Sequence, residues 1–188
     1  MAWTRAEGVA AATAEDDALR SAFRRLAAGD GAALEVVWSE TARELHAVAL
    51  WRTGSAEDAE DVVQETFVCL VRQRDRLGSV RRPRAWLLTL AHRAAIDLVR
   101  RRRPVEPLEP AGAELLQAPT AESATETAEL TKALALLPPA QRLAVGLRYV
   151  LGLSLREIGQ VTGVPTFTAA SRCRLGVARL RRVLGGTA

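Results

Sequence analysis

Between residues 18 and 103 apolar side chains recur three and four positions apart, the spacing of one face of an α-helix. Leu19, Phe23 and Leu26 form a first stripe, Gly29-Asp30 interrupts it, and Leu34, Val37, Trp38, Leu45, Val48 and Trp51 form a second. Gly54 can close that helix in a left-handed conformation, and Ser55 with Asp58 three residues on resembles a capping box for the next. On this third helix Asp58, Asp61 and Glu65 share one stripe with Gln64 at its flank, while Val63, Phe67, Leu70 and Val71 lie opposite. The apolar side has a core to join, which leaves the acidic side free to meet a partner. Carboxylates in the first turns also complement the helix dipole, and on spacing alone a merely solvated face is the commoner case.

A further helix is predicted after Pro83. Leu87, Ala91, Ala94 and Leu98 share one face, and Thr89, His92, Arg93, Ile96, Arg100 and Arg103 share the other. Arg81, Arg82 and Arg84 at its start and the arginine run at its end bracket the outer face with cations suited to phosphates. Pairing of Asp97 with Arg93 or Arg101 is the structural alternative. No segment alternates as a strand does, so an all-α fold is expected.

The pattern stops at residues 104–129, where Pro104, Pro107, Pro110 and Pro119 stand among Ala, Glu and Thr. Such a composition buries no core and predicts an extended, flexible linker. Residues 130–184 resume the helical pattern. Ser154 and Glu157 form a capping box ahead of Leu155, Ile158 and Val161, Gly163-Val164-Pro165 makes a turn, and a long helix follows from about Thr166. This is a helix-turn-helix pattern. In its last helix Ala169, Cys173, Gly176, Leu180 and Val183 are expected inside, and Ser171, Arg174, Ala178, Arg181 and Arg182 outside. The expected architecture is therefore two small helical domains, residues 18–103 and 130–184, joined by an acidic linker and flanked by a disordered tail at 1–17 and a short one at 185–188.

Composition sharpens this picture through charge. The net charge of +4 conceals six glutamates and no basic residue within residues 104–129, so the rest of the chain stands at +10. Strongly basic helical modules suit nucleic acid. Cys69 and Cys173 lack CxxC or CxxxH spacing, and His46 and His92 are isolated, so no disulfide framework, metal site or cofactor is expected. Cys173 falls on the inner face as a small hydrophobe, and Cys69 lies on the acidic face, exposed unless a partner covers it. No G-x-S-x-G, P-loop or GxGxxG motif supports an enzyme. Neither a signal peptide nor a run of ~18 apolar residues is seen, which predicts a cytoplasmic chain that does not insert in membranes.

The segments DAEDVVQETF, PRAWLLTLAHRAAIDLVRRR, LALLPPAQR and SLREIGQVTGVP, in this order and spacing, resemble the extracytoplasmic-function sigma factors of bacterial RNA polymerase. The resemblance implies that residues 18–103 bind the polymerase and the promoter minus-ten element, and that residues 130–184 bind the minus-thirty-five element. Core polymerase, promoter DNA and an anti-sigma factor are the implied partners. Carried over by position, Asp58, Asp61, Gln64 and Glu65 would contact polymerase. Arg81, Arg82, Arg84, Thr89, His92, Arg93, Ile96, Arg100 and Arg103 would serve minus-ten DNA, with residues 75–82 as the pocket for an unstacked base. Thr168, Ala170, Ser171, Arg172, Arg174 and Arg181 would serve minus-thirty-five DNA.

Elements about 17 base pairs apart are separated by ~58 Å of B-DNA, and an extended linker of this length reaches up to ~90 Å. The chain departs from the family at Val71, where tryptophan is common, at His92-Arg93, where Arg-Asn is common, and at Phe167-Thr168-Ala169-Ala170, where Gly-Thr-Val-Lys is common. The last two changes fall on DNA-facing positions, so promoter sequence does not transfer from relatives. The competing reading is a dimeric helix-turn-helix regulator acting without polymerase, which leaves the acidic stripe and the whole first module unused.

Overall fold

The computed structural model describes residues 5–102 and 132–185. They form helices α1 (Arg5–Ala27), α2 (Ala33–Thr53), α3 (Ala56–Arg72), a short α4 (Arg74–Leu77), α5 (Pro83–Arg102), α6 (Pro139–Tyr149), α7 (Leu155–Thr162) and α8 (Thr166–Gly185), with residues 132–135 also helical. The expected linker at 104–129, Arg103 and most of the final tail lie outside the described residues. The helix α1 begins at Arg5, where a disordered tail to residue 17 was expected. Its extra turns contain Ala6, Ala10, Ala11, Ala12 and Ala14, and alanine loses the least on entering a helix.

The central helix of the first module is α2, which packs against α1, α3 and α5. Leu19 and Phe23 from α1, Val37, Leu45 and Val48 from α2, Leu70 from α3, Leu77 from α4, and Leu87 and Leu88 from α5 make the core, each at most 1% exposed. Phe23 meets Trp86 edge-on, with ring centroids 5.7 Å apart. Two buried hydroxyls need partners: Thr41 donates to the Val37 carbonyl at 2.6 Å and Thr66 to that of Val62 at 2.7 Å. Between α2 and α3, Gly54 has φ +82° and donates its N–H to the Leu50 carbonyl, and the Ser55 hydroxyl accepts from the Asp58 N–H. Part of the loop expected at 75–82 is instead α4, pinned by buried Leu77.

In the second module Pro139 opens α6 at a position where a missing N–H costs nothing. The Ser154–Glu157 capping box is complete, with Ser154 Oγ accepting from the Glu157 N–H and a Glu157 carboxylate oxygen accepting from the Ser154 N–H. Gly163 ends α7 at φ +69°. Gly159 allows the following turn to fold tightly over α7, since a Cβ there would stand 2.7 Å from the Val164 carbonyl oxygen. Ala169, Cys173, Gly176 and Leu180 face inward on α8, as their spacing predicts. Val183 does not: it is 40% exposed, because the packing of α8 against α6 ends before the last turn is reached.

The two modules pack on each other, α6 against α2 and α7 against α5, and their apolar residues join in one core. At the centre the Trp51 indole lies flat on Gly146, so close that a Cβ on the glycine would be 2.5 Å from Cε3. At the edge Arg84 of α5 makes a two-pronged bond to Glu44 of α2, one prong at 2.8 Å, and donates to the Leu151 carbonyl between α6 and α7 at 3.2 Å. Arg82 lies 3.9 Å from Glu157.

Candidate protein and nucleic-acid interfaces

The outward face of α3 carries Glu57, Glu60, Asp61, Gln64 and Glu65, all exposed. The second module leaves it open. Asp58 is not on it, contrary to expectation: the residue is 4% exposed and its carboxylate pairs with Arg102 of α5. Burial pushes this carboxyl up from its ordinary pKa, and the Arg102 guanidinium opposes that shift. Asp58 thus ties α3 to α5, and Glu57 and Glu60 take the place it was expected to fill. One turn beyond the carboxylates the face becomes apolar. Val68 and Val71 are 42% and 48% exposed, and Trp38 of α2, 49% exposed, lies against Phe67 at 4.7 Å between centroids. Val71 was expected inside; α3 instead leaves it at the edge of the core, about half exposed. Together these residues make a surface that is acidic at one end and apolar at the other.

Arg81 and Arg82, just before α5, and Arg93 and Arg100 on it are exposed, and Thr89 and Ile96 are half-buried. The Thr89 hydroxyl is spent on the Ala85 carbonyl at 2.7 Å. Two expected DNA contacts are occupied. Arg84 is committed to Glu44 and Leu151 as described, and His92 is 7% exposed. Burial, followed by the charges of Arg52, Arg172 and Arg93, lowers the His92 pKa to about 4, so its ring is neutral at pH 7. Since Arg172 belongs to α8, the field at His92 comes partly from the other module. His92 stands one turn after Leu88, a core residue, and so lies under cover and not on an open face, while α7 packs against the same helix.

The helix α8 carries Arg172, Arg174, Arg179, Arg181 and Arg182 and no acidic residue. Arg174 and Arg181 are exposed, and Thr168, Ala170, Ser171 and Arg172 are half-buried. The helix-turn-helix brings all six expected residues onto one helix beside the α7 turn. Phe167, noted from the sequence as a departure from the family but left out of the expected DNA contacts, is 74% exposed in the first turn. Its signal was an aromatic residue just after the turn, at a position that no core needs.

Two family models match, Sigma-70 region 2 over residues 37–105 and Sigma-70 region 4 over residues 127–180. The ECF RNA polymerase sigma factor SigL of Mycobacterium tuberculosis is 32% identical over 163 residues, covering 84% of this chain and 92% of the relative. The chain belongs to the ECF RNA polymerase sigma factors. The sigma factor SigM of the same organism is 31% identical over 161 residues, covering 84% of the chain and 80% of SigM. CarQ of Myxococcus xanthus, an RNA polymerase sigma factor, is 35% identical over 130 residues, covering 68% and 75% of the two chains. The fold is that of CnrH in its complex with the cytosolic domain of CnrY (TM-score 0.65, 24% identity, 91% of this chain and 99% of that one). It is also that of the sigma factor RpoE in complex with the anti-sigma factor NepR from Bartonella quintana (TM-score 0.64, 22% identity, 80% and 96%). Among the described residues, no helix is long and apolar enough to cross a membrane, and no three His, Cys, Asp or Glu residues cluster as metal ligands.

Proposed function

We propose that this sigma factor binds core polymerase through the outward face of α3, reads the minus-ten element with α5 and the minus-thirty-five element with α8. The observation that carries the assignment is the separation of charge: exposed carboxylates gather on α3, while α8 bears five arginines and no acid. A carboxylate face repels DNA and suits a basic protein surface, and an arginine helix behind a helix-turn-helix turn suits the major groove. Asp61, Gln64 and Glu65 remain in the polymerase-binding set, joined by Glu57 and Glu60. Asp58 supports them from beneath. The chain acts in the cytoplasm and lends promoter specificity to an enzyme, with no cofactor and no catalytic step of its own.

Binding both promoter elements requires the modules to part. The elements stand ~58 Å apart along B-DNA, whereas here Arg84 of α5 is within hydrogen-bond reach of the turn before α7. Parting also removes the Arg172 charge from beside His92 and breaks the Arg84–Leu151 bond, while Arg84 keeps its pairing with Glu44 of its own module. An anti-sigma factor, of the kind found with the sigma factors of similar fold, would act by holding the modules in the closed arrangement.

The test is capture of core polymerase by the purified chain and by its Asp61→Arg, Glu65→Arg variant. Both residues are exposed, and surface charge reversals seldom change stability by more than ~0.5 kcal/mol. Loss of capture with an unchanged circular dichroism spectrum is expected. Full capture by the folded variant would remove α3 from the interface.

A further inference from the structure

The outer stripe of α8 runs Phe167, Ser171, Arg174, Ala178 and Arg182, at i, i+4, i+7, i+11 and i+15, opposite the buried Ala169, Cys173, Gly176 and Leu180. A nucleic-acid surface is expected to offer hydroxyls and cations. Phe167 offers neither, and at 74% it is the most exposed of the large apolar residues described. An aromatic ring left in water forgoes the stabilisation that burial confers, and the closed packing of the two modules does not recover it. The flanking arginines name the occupant of this face as an anion, and the helix-turn-helix names it as duplex DNA. Within the major groove, the one apolar group that a base pair presents is the C5-methyl of thymine.

We propose that Phe167 is a specificity-determining residue, whose ring packs on a thymine methyl in the upstream promoter element. The proposal rests on the reading of α8 as the recognition helix. Arg174 lies seven residues, or ~10.5 Å, along the same stripe. A helix lying along the groove therefore sets the thymine about three base pairs from the base or phosphate that Arg174 meets. Small neighbours permit the approach, since Ala170 and Ser171 occupy the next turn where longer side chains would hold the ring off the DNA.

The test uses holoenzyme reconstituted from core polymerase and the full chain, and duplexes that it selects from a pool with a randomised upstream element. Each thymine of that element is replaced in turn by deoxyuridine, which keeps the pairing and removes only the methyl. One position is expected to lose about 4-fold in affinity, the worth of one buried methyl. Phe167→Ala should weaken binding to the parent duplex and abolish the response to uracil at that position alone, and Phe167→Met should retain it. Uracil substitutions that are silent everywhere, or a response that persists in Phe167→Ala, overturn the proposal while wild-type protein still discriminates against a scrambled upstream element. Indifference to the scrambled element would instead overturn the reading of α8 itself, and the proposal with it.

Discussion

Gly146 is the position at which one added carbon should pry the two modules apart. It lies within α6 beneath the Trp51 indole, and a Cβ there would stand 2.5 Å from Cε3 and 2.6 Å from Cδ2 and Cζ3. Trp51 is 4% exposed, so its ring is held by α2 and its surroundings and cannot swing aside freely. Overpacking of this kind costs ~1–3 kcal/mol. Alanine also favours the α6 helix by about 1 kcal/mol over glycine, but it does so in the closed and open forms alike and drops out of their balance. The overlap exists only when the modules meet. Gly146→Ala should therefore raise the ratio of open to closed chain roughly 5- to 150-fold, and Gly146→Leu should raise it further. Small-angle X-ray scattering reads the result. A closed chain of 188 residues is expected near a radius of gyration of about 16 Å; the variants should exceed it and show two separate lobes, with helix content unchanged. If the radius of gyration stays the same in both variants, the Trp51–Gly146 contact does not hold the modules together.

Three further outcomes follow from the same structure. Opening should restore His92 from about 4 toward its ordinary 6.5, so the closed form is favoured fully above pH 6.5 and progressively less as the pH falls to about 4; scattering at pH 7 and pH 5 should show expansion at the lower value, lost in His92→Gln. Ser154→Ala removes the cap of α7 and should cost ~1 kcal/mol, read as a lower midpoint in urea with an unchanged slope. Arg174→Ala should lose about 1 to 3 kcal/mol and relax preference at one base pair, whereas Arg181→Ala should weaken all duplexes alike and flatten the dependence on salt; equal losses on every duplex for Arg174→Ala would make it a phosphate anchor only.

Local signals were legible in the sequence wherever cause and effect lie within one or two turns. Gly54, Gly163 and the Ser154–Glu157 pair mark helix ends because each acts through its own backbone neighbours. The inner face of α8 follows from its spacing for the same reason. Asp58, Arg84 and His92 were placed on open faces because helical period reports a direction and not what covers it. Their partners, Arg102, Glu44 with Leu151, and the facing module with Arg172, are distant in sequence. Val71 errs the other way, as an apolar residue expected inside that neither module buries. The packing of the modules on each other left one trace in the sequence, a glycine inside a helix at 146, which costs helix stability and gains meaning only once Trp51 lies on it.

Whether the chain is a promoter-specificity subunit turns on transcription from defined starts. Core polymerase should be incubated with the purified chain on fragmented DNA of the source genome, and the RNA 5′ ends mapped. Discrete starts that require both proteins, preceded by two shared sequence elements about 17 base pairs apart, are expected, and they should vanish with Asp61→Arg, Glu65→Arg. Random starts with core polymerase, together with binding of the chain alone as a dimer to palindromic sites, would show instead a helix-turn-helix regulator that works without polymerase.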